Sequence, residues 1–153
     1  MKVVFSDRDG TLTRPPHDRR VDSPEKLELY PDTLDALGYL AAHDFAIIIV
    51  TNQTGIAEGR MSQDMYGRIE ERLLEMLEPS GAQILKTYTC PHSRAAGCAC
   101  RKPRPAMLLE AASDFCINLQ DSFMIGDRRD DIELGNSAGG ALLFFCRTYA
   151  ACI

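Results

Sequence analysis

The chain reads as an α/β fold, a parallel sheet with helices on both faces. Short apolar runs of strand length alternate with longer stretches of helical spacing, the pattern of a sheet whose crossovers are helices. The runs are apolar throughout, as strands covered on both faces are. Polar and acidic clusters follow several of them directly, at the sheet edge where α/β proteins collect ligands.

Val3 to Phe5 is the first predicted strand. Leu34, Leu37, Leu40 and Ala41 then recur at helical spacing after Pro31 and Asp32, and Phe45 to Val50 is a second, fully buried strand. Met65, Ile69, Leu73, Leu74 and Leu77 mark a long helix that Ser62 caps and Pro79 closes, since a proline disfavours helical backbone in the residue before it. Ile84 to Tyr88 is the third strand, and Pro105 opens a helix carrying Met107, Leu108, Ala111 and Ala112. Phe123 to Ile125 is the fourth strand, Ile132 and Leu134 belong to a last helix, and Leu142 to Phe145 is the fifth strand. The Met and Leu stripes are core by the usual burial preferences. No repeat, linker or low-complexity segment interrupts the pattern, so residues 1–153 are expected to form one domain.

Composition narrows the partners. At 45% hydrophobic and 25% charged residues the chain is of globular type, and 153 residues bury enough surface to fold without disulfides. A net charge of −5 argues against nucleic acid or an anionic membrane, both of which call for a basic face, and requires local cations wherever an anionic substrate binds. The longest apolar runs, Phe45 to Val50 and Ala141 to Cys146, fall far short of the roughly 20 residues that span a bilayer. Met1 and Lys2 lead into only three apolar residues before Ser6, so no secretory signal is read and the expected compartment is the cytoplasm.

Asp7-Arg8-Asp9-Gly10-Thr11 follows the first strand. Two carboxylates one residue apart at a strand end can address one point, as nucleophile and as general acid/base, while Gly10 lets the chain turn sharply. Acidic residues before Gly and Thr also make ordinary turns. Thr51-Asn52-Gln53 follows Val50, and its hydroxyl and amide groups can donate to phosphate oxygens or cap the next segment. Arg101-Lys102-Pro103 puts the compact charge of Lys102 before a helix start that favours anions. Gly126-Asp127-Arg128-Arg129-Asp130-Asp131 follows the fourth strand, as a binding turn or a solvated helix start. Together the clusters suit phosphoryl chemistry, with Asp7 and Asp127 as oxygen ligands for Mg²⁺, Lys102 and a hydroxyl neutralising phosphate, and a carboxylate attacking phosphorus.

In this order DRDGT, TNQ, RKP and GDRRDD resemble the four motifs of the haloacid dehalogenase superfamily of phosphatases, across nearly the whole chain. The resemblance implies a Rossmann-like sheet of order 5-4-1-2-3. It also implies that Asp7 is the nucleophile that becomes aspartyl phosphate, and that Asp9 protonates the leaving oxygen and then activates water. Thr51 and Lys102 would be the phosphate-binding pair. Asp7, Asp127 and the backbone carbonyl of Asp9 would hold Mg²⁺, with Asp131 in support.

Of the six cysteines, Cys90, Cys98 and Cys100 join His92 in C-x-H-x5-C-x-C, a Cys₃His set of the kind that closes a tetrahedral structural Zn²⁺ site. Reduced thiols or a disulfide pair are the alternatives, the latter disfavoured in a cytoplasm. A catalytic zinc is not expected, because protein fills all four positions. The set ends just before Arg101 and would stiffen the loop presenting Arg101 and Lys102. Cys116, Cys146 and Cys152 lack such partners and are expected in the core or tail.

The phrase from Cys90 to Pro103 is similar to the cap-less, zinc-loop branch of the superfamily, which contains phosphatases of D-glycero-D-manno-heptose 1,7-bisphosphate and of histidinol phosphate. Thr51 to Arg60 and Arg104 to Leu108 look more like the heptose-acting members, while Pro15-Pro16-His17-Asp18 and the short zinc-loop gap look closer to the histidinol-phosphate ones. The resemblance implies a small phosphorylated sugar as substrate, an amino-alcohol phosphate as the alternative, and a monomer or weak oligomer. Neither the stretch from Gly10 to Leu29 nor the zinc loop is long enough for a separate cap domain, so the mouth is expected to be open. Arg101, Arg60 and Arg104 are the candidates for a second phosphate, Arg101 foremost. Two other classes compete. A phosphoacceptor receiver domain would not carry its acceptor at the end of the first strand with a free carboxylate two residues on. A non-catalytic zinc-stabilised binding module would not need the full set of catalytic residues.

Overall fold

The computed structural model describes residues 1–138 and 141–142. Five strands, β1 (Lys2–Ser6), β2 (Phe45–Asn52), β3 (Ile84–Cys90), β4 (Phe123–Ile125) and β5 (Ala141–Leu142), form one parallel sheet in the order β3-β2-β1-β4-β5. This is the expected order 5-4-1-2-3 read from the opposite edge. The helices are α1 (Thr33–Ala42), α2 (Thr54–Ala57), α3 (Gln63–Leu77), α4 (Ala106–Phe115) and α5 (Arg129–Ser137).

Alternation along β1 divides the core in two. Val3 and Phe5 face Met107, Leu108 and Ala111 of α4 and Leu134 of α5, whereas Val4 joins Leu37 of α1 with Ile69, Leu73 and Leu77 of α3. Helices thus cover both faces, and β1, central and buried on each side, can be only apolar until it ends. Its register fixes the site: Ser6 lies opposite Ile49 of β2 and Ile125 of β4, so β1 and β4 end level and their next residues leave the sheet beside β2, which continues to Asn52. Asp7 N prolongs the ladder by donating to Ile125 O at 2.8 Å.

Several elements differ from expectation. β2 continues through Thr51 and Asn52, because β3 runs to Cys90 and pairs with both. Main-chain pairing there outweighs their polarity. Thr54–Ala57 makes a helix of one turn that no apolar period announces. Ser62 does cap α3, its Oγ accepting from Met65 N at 3.1 Å, and Pro79 lies in the 3-10 turn Glu78–Ser80 that ends the helix. Leu74, however, is 40% exposed, standing one position off the stripe of Ile69, Leu73 and Leu77. Cys116 is not a core residue: it is exposed, with the left-handed φ of 52° that ends α4. Of the predicted fifth strand only Leu142 is described, within β5, and Leu143 to Phe145, like Cys146 and Cys152, lie outside the described residues.

The segment between β1 and α1 is a tethered loop, not a domain. Thr13 bridges Leu29, Arg14 N donates to Glu28 O at 2.7 Å, and Lys26 pairs with both Asp18 and Asp22. Among the described residues no helix is long and apolar enough to cross a membrane.

Candidate active site

Lys102 is the centre of the site. Its ammonium group is buried and spends its three donors on Asp7 Oδ1 at 2.5 Å, Asp131 Oδ1 at 2.7 Å and the carbonyl of Val50 at 3.0 Å. Burial works against its charge, but Asp7 and Asp131 more than offset that, and its pKa is raised. Residues from three sequence clusters are thereby brought together, Asp7 after β1, Lys102 before α4 and Asp131 in α5, at the main chain of Val50, next to the fourth cluster in β2.

Asp7 is buried, and desolvation is the largest influence on it. Lys102 pulls the other way and Asp131 adds repulsion, leaving the carboxyl pushed up to about 7. Its second oxygen has no hydrogen-bond partner among the described residues. Asp127 also rises above the ordinary range, chiefly through burial, and its Oδ1 is buried without a hydrogen-bond partner, Arg128 Nε standing 3.9 Å away. Ligand oxygens of Asp7, Asp127 and Asp131 lie within 4.8 Å of one another. A buried carboxylate oxygen without a hydrogen bond, beside the buried carboxylate of Asp7, fits a hard divalent cation. Gly10 makes the packing possible, since a Cβ there would stand 2.2 Å from Asp127 Oδ2, and its φ of 101° is closed to other residues without strain. Asp131 has both oxygens engaged, Oδ2 accepting from Arg128 N at 3.1 Å, which makes it a support of the cluster.

Asp9 differs from Asp7 in its surroundings. Burial raises its pKa, but Arg8, Gln53 and Thr13 outweigh that and hold it below the ordinary carboxylate range. Gln53 Nε2 donates to Asp9 Oδ2 at 2.7 Å and to the buried Thr51 Oγ1 at 2.8 Å, linking the expected acid/base with the expected phosphate ligand. Asn52 turns its amide onto the main chain of Lys102, accepting from N at 3.1 Å and donating to O at 3.4 Å, and so fixes the residue that carries the ammonium group.

Sequence reasoning assigned no role to Arg8 or Thr13 and none of its own to Gln53. Gln53 lay within the TNQ cluster; for Arg8 no signal existed, because arginine is seldom buried.

The four zinc-type ligands converge as well. Sγ of Cys100 lies 3.1 Å from that of Cys90 and 3.5 Å from that of Cys98, Cys90 and Cys98 are 3.6 Å apart, and His92 Nδ1 is 3.2 Å from Cys100 Sγ. A tetrahedron with metal–sulfur bonds of about 2.3 Å has edges of about 3.8 Å. The set is therefore sized for one metal ion, and at these separations the thiols are free cysteines. Against a burial penalty, hydrogen bonds from Cys100, the Arg101 backbone, Cys90 and His92 bring the Cys98 thiol down to about 7, readying a thiolate ligand. Arg101 donates to His92 O at 3.1 Å and to Thr54 Oγ1 at 2.8 Å, and Arg104 donates to Cys98 O. Both bind the loop together.

Beside this centre opens a cleft of about 720 Å³ whose lining includes Asp9, Gly10, Gln53 and Asp127. Arg19, Arg20, Arg60, Arg128 and Arg129 also line it, whereas Arg101 and Arg104 do not. Of the three arginines expected at the mouth only Arg60 is there, ion-paired with Glu58.

Comparison with known proteins agrees with this geometry. A family model described as HAD-hydrolase-like matches residues 99–144. A probable D-glycero-D-manno-heptose-1,7-bisphosphate 7-phosphatase of Thermoplasma acidophilum is 39% identical over 91% of this chain and 86% of its own. The histidine biosynthesis bifunctional protein HisB of Campylobacter jejuni subsp. doylei is 34% identical over 90% of this chain, which spans only 40% of that protein. The crystal structure of the D,D-heptose 1,7-bisphosphate phosphatase from B. bronchiseptica, complexed with magnesium and phosphate, superposes with a TM-score of 0.86 at 30% identity, covering 93% of this chain and 79% of that one. The chain belongs to the haloacid dehalogenase-like phosphatases, in the family of these heptose bisphosphate phosphatases.

Proposed function

We propose that this protein is a Mg²⁺-dependent phosphomonoester hydrolase that removes the 7-phosphate of D-glycero-D-manno-heptose 1,7-bisphosphate. The observation that carries the chemistry is Lys102 bridging Asp7 and Asp131 beside the orphaned oxygen of Asp127. Asp7, Asp127 and the main-chain carbonyl of Asp9 would hold Mg²⁺. When bound, the ion supplies charge neutralisation for the phosphate and for the approach of an anionic nucleophile.

The chain's own residues do the rest. Lys102 holds Asp7 by one oxygen, and the other attacks phosphorus, forming the Asp7 acyl phosphate as the bond from phosphorus to the leaving oxygen breaks. Asp9, an anion while only Arg8, Gln53 and Thr13 surround it, takes up a proton as the anionic phosphate binds beside it and gives that proton to the leaving oxygen. In the second half a water loses a proton to Asp9 and attacks phosphorus, and the bond to Asp7 breaks. Thr51 and Lys102 stabilise the transferring group, while Asn52 and Asp131 keep Lys102 in place. Cys90, His92, Cys98 and Cys100 would hold a structural Zn²⁺, which would stiffen the loop that runs into Arg101 and Lys102.

The open, arginine-lined cleft favours a substrate with a second phosphate over histidinol phosphate, which carries a cationic amine and an imidazole and no second anionic group. Steady-state kinetics on both compounds test this. A kcat/KM at least about tenfold higher on the bisphosphate is expected, a difference of about 1.4 kcal/mol in transition-state binding. A preference for histidinol phosphate would replace the substrate and keep the chemistry.

A further inference from the structure

Arg8 stands between the two aspartates, where phosphoryl transfer itself requires no cation. Its side chain is 0% exposed, a burial that an arginine tolerates only with a partner. Asp9 is that partner: Nε donates to Oδ1 at 3.0 Å and Nη2 to Oδ2 at 2.9 Å. Thr13 Oγ1, at 3.1 Å from Oδ1, and Gln53 Nε2, at 2.7 Å from Oδ2, complete the hold. Away from Asp9 the guanidinium faces the Tyr66 ring, 5.9 Å from its centroid, and the Tyr66 hydroxyl is bonded to Glu70 and Thr89. Arg8 is therefore backed by Tyr66 of α3, whose hydroxyl is held in turn by Thr89 of β3, and Asp9 holds its only side-chain hydrogen bonds among the described residues.

Two parallel bonds between a guanidinium fork and a carboxylate fix the plane of the carboxylate as well as its place. We propose that Arg8 is a positioning residue for Asp9, setting the direction from which Asp9 hands a proton to the leaving oxygen. The inference rests on the phosphomonoesterase reading. Arg8 itself gains and loses nothing: Asp9 takes up a proton from solvent as the anionic substrate binds beside it, and that proton passes to the leaving oxygen as the bond from that oxygen to phosphorus breaks. A lysine in its place keeps the charge and most of the volume but offers a point where the fork offered a plane.

The test is kcat/KM on two substrates, heptose 1,7-bisphosphate, whose alkoxide needs a proton to leave, and p-nitrophenyl phosphate, whose nitrophenolate does not. Arg8→Lys is expected to lose about 100-fold on the first and less than about 5-fold on the second. In an Asp9→Asn background the same substitution should change either value by less than about 3-fold, because the group it positions is already disabled. Thermal unfolding checks that the Lys variant is folded. Arg8→Met is the harsher companion, and where it fails to fold the Lys variant and the double variant decide. Equal losses on the two substrates, no loss, or a full loss in the Asp9→Asn background overturns the proposal alone. A wild-type protein inactive on both substrates overturns the phosphatase reading and this inference with it.

Discussion

At the scale of single residues, the two aspartates of DRDGT have opposite environments. In the free protein Asp7 is desolvated against one lysine and pushed up to about 7, while Asp9, gripped by Arg8, Gln53 and Thr13, is held below the ordinary carboxylate range. Mg²⁺ needs the Asp7 anion, so below pH about 7 the ion must displace a proton. Proton competition at that pKa should weaken Mg²⁺ binding about tenfold at pH 6 relative to pH 8. Calorimetry in buffers of different ionisation enthalpy would show the released proton, and an affinity flat with pH would refute the assignment. Gly10→Ala should cost at least about tenfold in Mg²⁺ affinity with a folded sheet, because the new Cβ takes the space of the Asp127 carboxylate. The aspartates and Lys102 were legible as spaced charges after apolar runs. Arg8 was not, since its letter reads as surface, and Asn52 was legible only as a polar residue whose amide could equally meet phosphate or the main chain.

At the scale of elements, the site exists because β1 and β4 end level and release their motifs beside the last residues of β2, which reach past them to Asn52. The order of these strands was legible through the motifs and their resemblance, and the core stripes through helical spacing. Strand ends were less so: β2 and β3 extend each other to Asn52 and Cys90, a property of the pair that neither sequence carries alone. Likewise the C-x-H-x5-C-x-C spacing announced four ligands, while the ties from Arg101 and Arg104 to the carbonyls of His92 and Cys98 depend on how the loop folds back. Protein purified without chelators is expected to carry about one equivalent of zinc by elemental analysis. Cys98→Ser should release much of it and lower kcat, while far-ultraviolet circular dichroism stays that of the wild type, because of the four ligands only Cys90 is a buried member of the sheet's core, Cys98 and Cys100 packing against it while partly exposed. Full metal content or global unfolding would each contradict that division.

At the scale of the whole molecule, an acidic chain with a net charge of −5 gathers five arginines around one cleft. Their field should make the KM for a bisphosphate rise more steeply with ionic strength than that for p-nitrophenyl phosphate. Arg20→Ala with Arg60→Ala should raise the bisphosphate KM about tenfold and leave the aryl phosphate nearly unchanged, as steady-state assays would show. No single letter revealed this cleft, because its arginines come from three separate stretches of chain and two of them, Arg128 and Arg129, read as the flank of an acidic motif. The central claim, that Asp7 attacks phosphorus, is tested most directly by acid-quenching the enzyme during turnover of ³²P-labelled substrate with Mg²⁺ and mapping the labelled peptide. Acid-stable, alkali-labile label on the peptide containing Asp7 is predicted, together with its loss and a fall in kcat of at least about 10³-fold, roughly 4 kcal/mol, in Asp7→Asn. Label on another peptide, or an Asp7→Asn protein that still turns over at more than about a tenth of the wild-type rate, would contradict it.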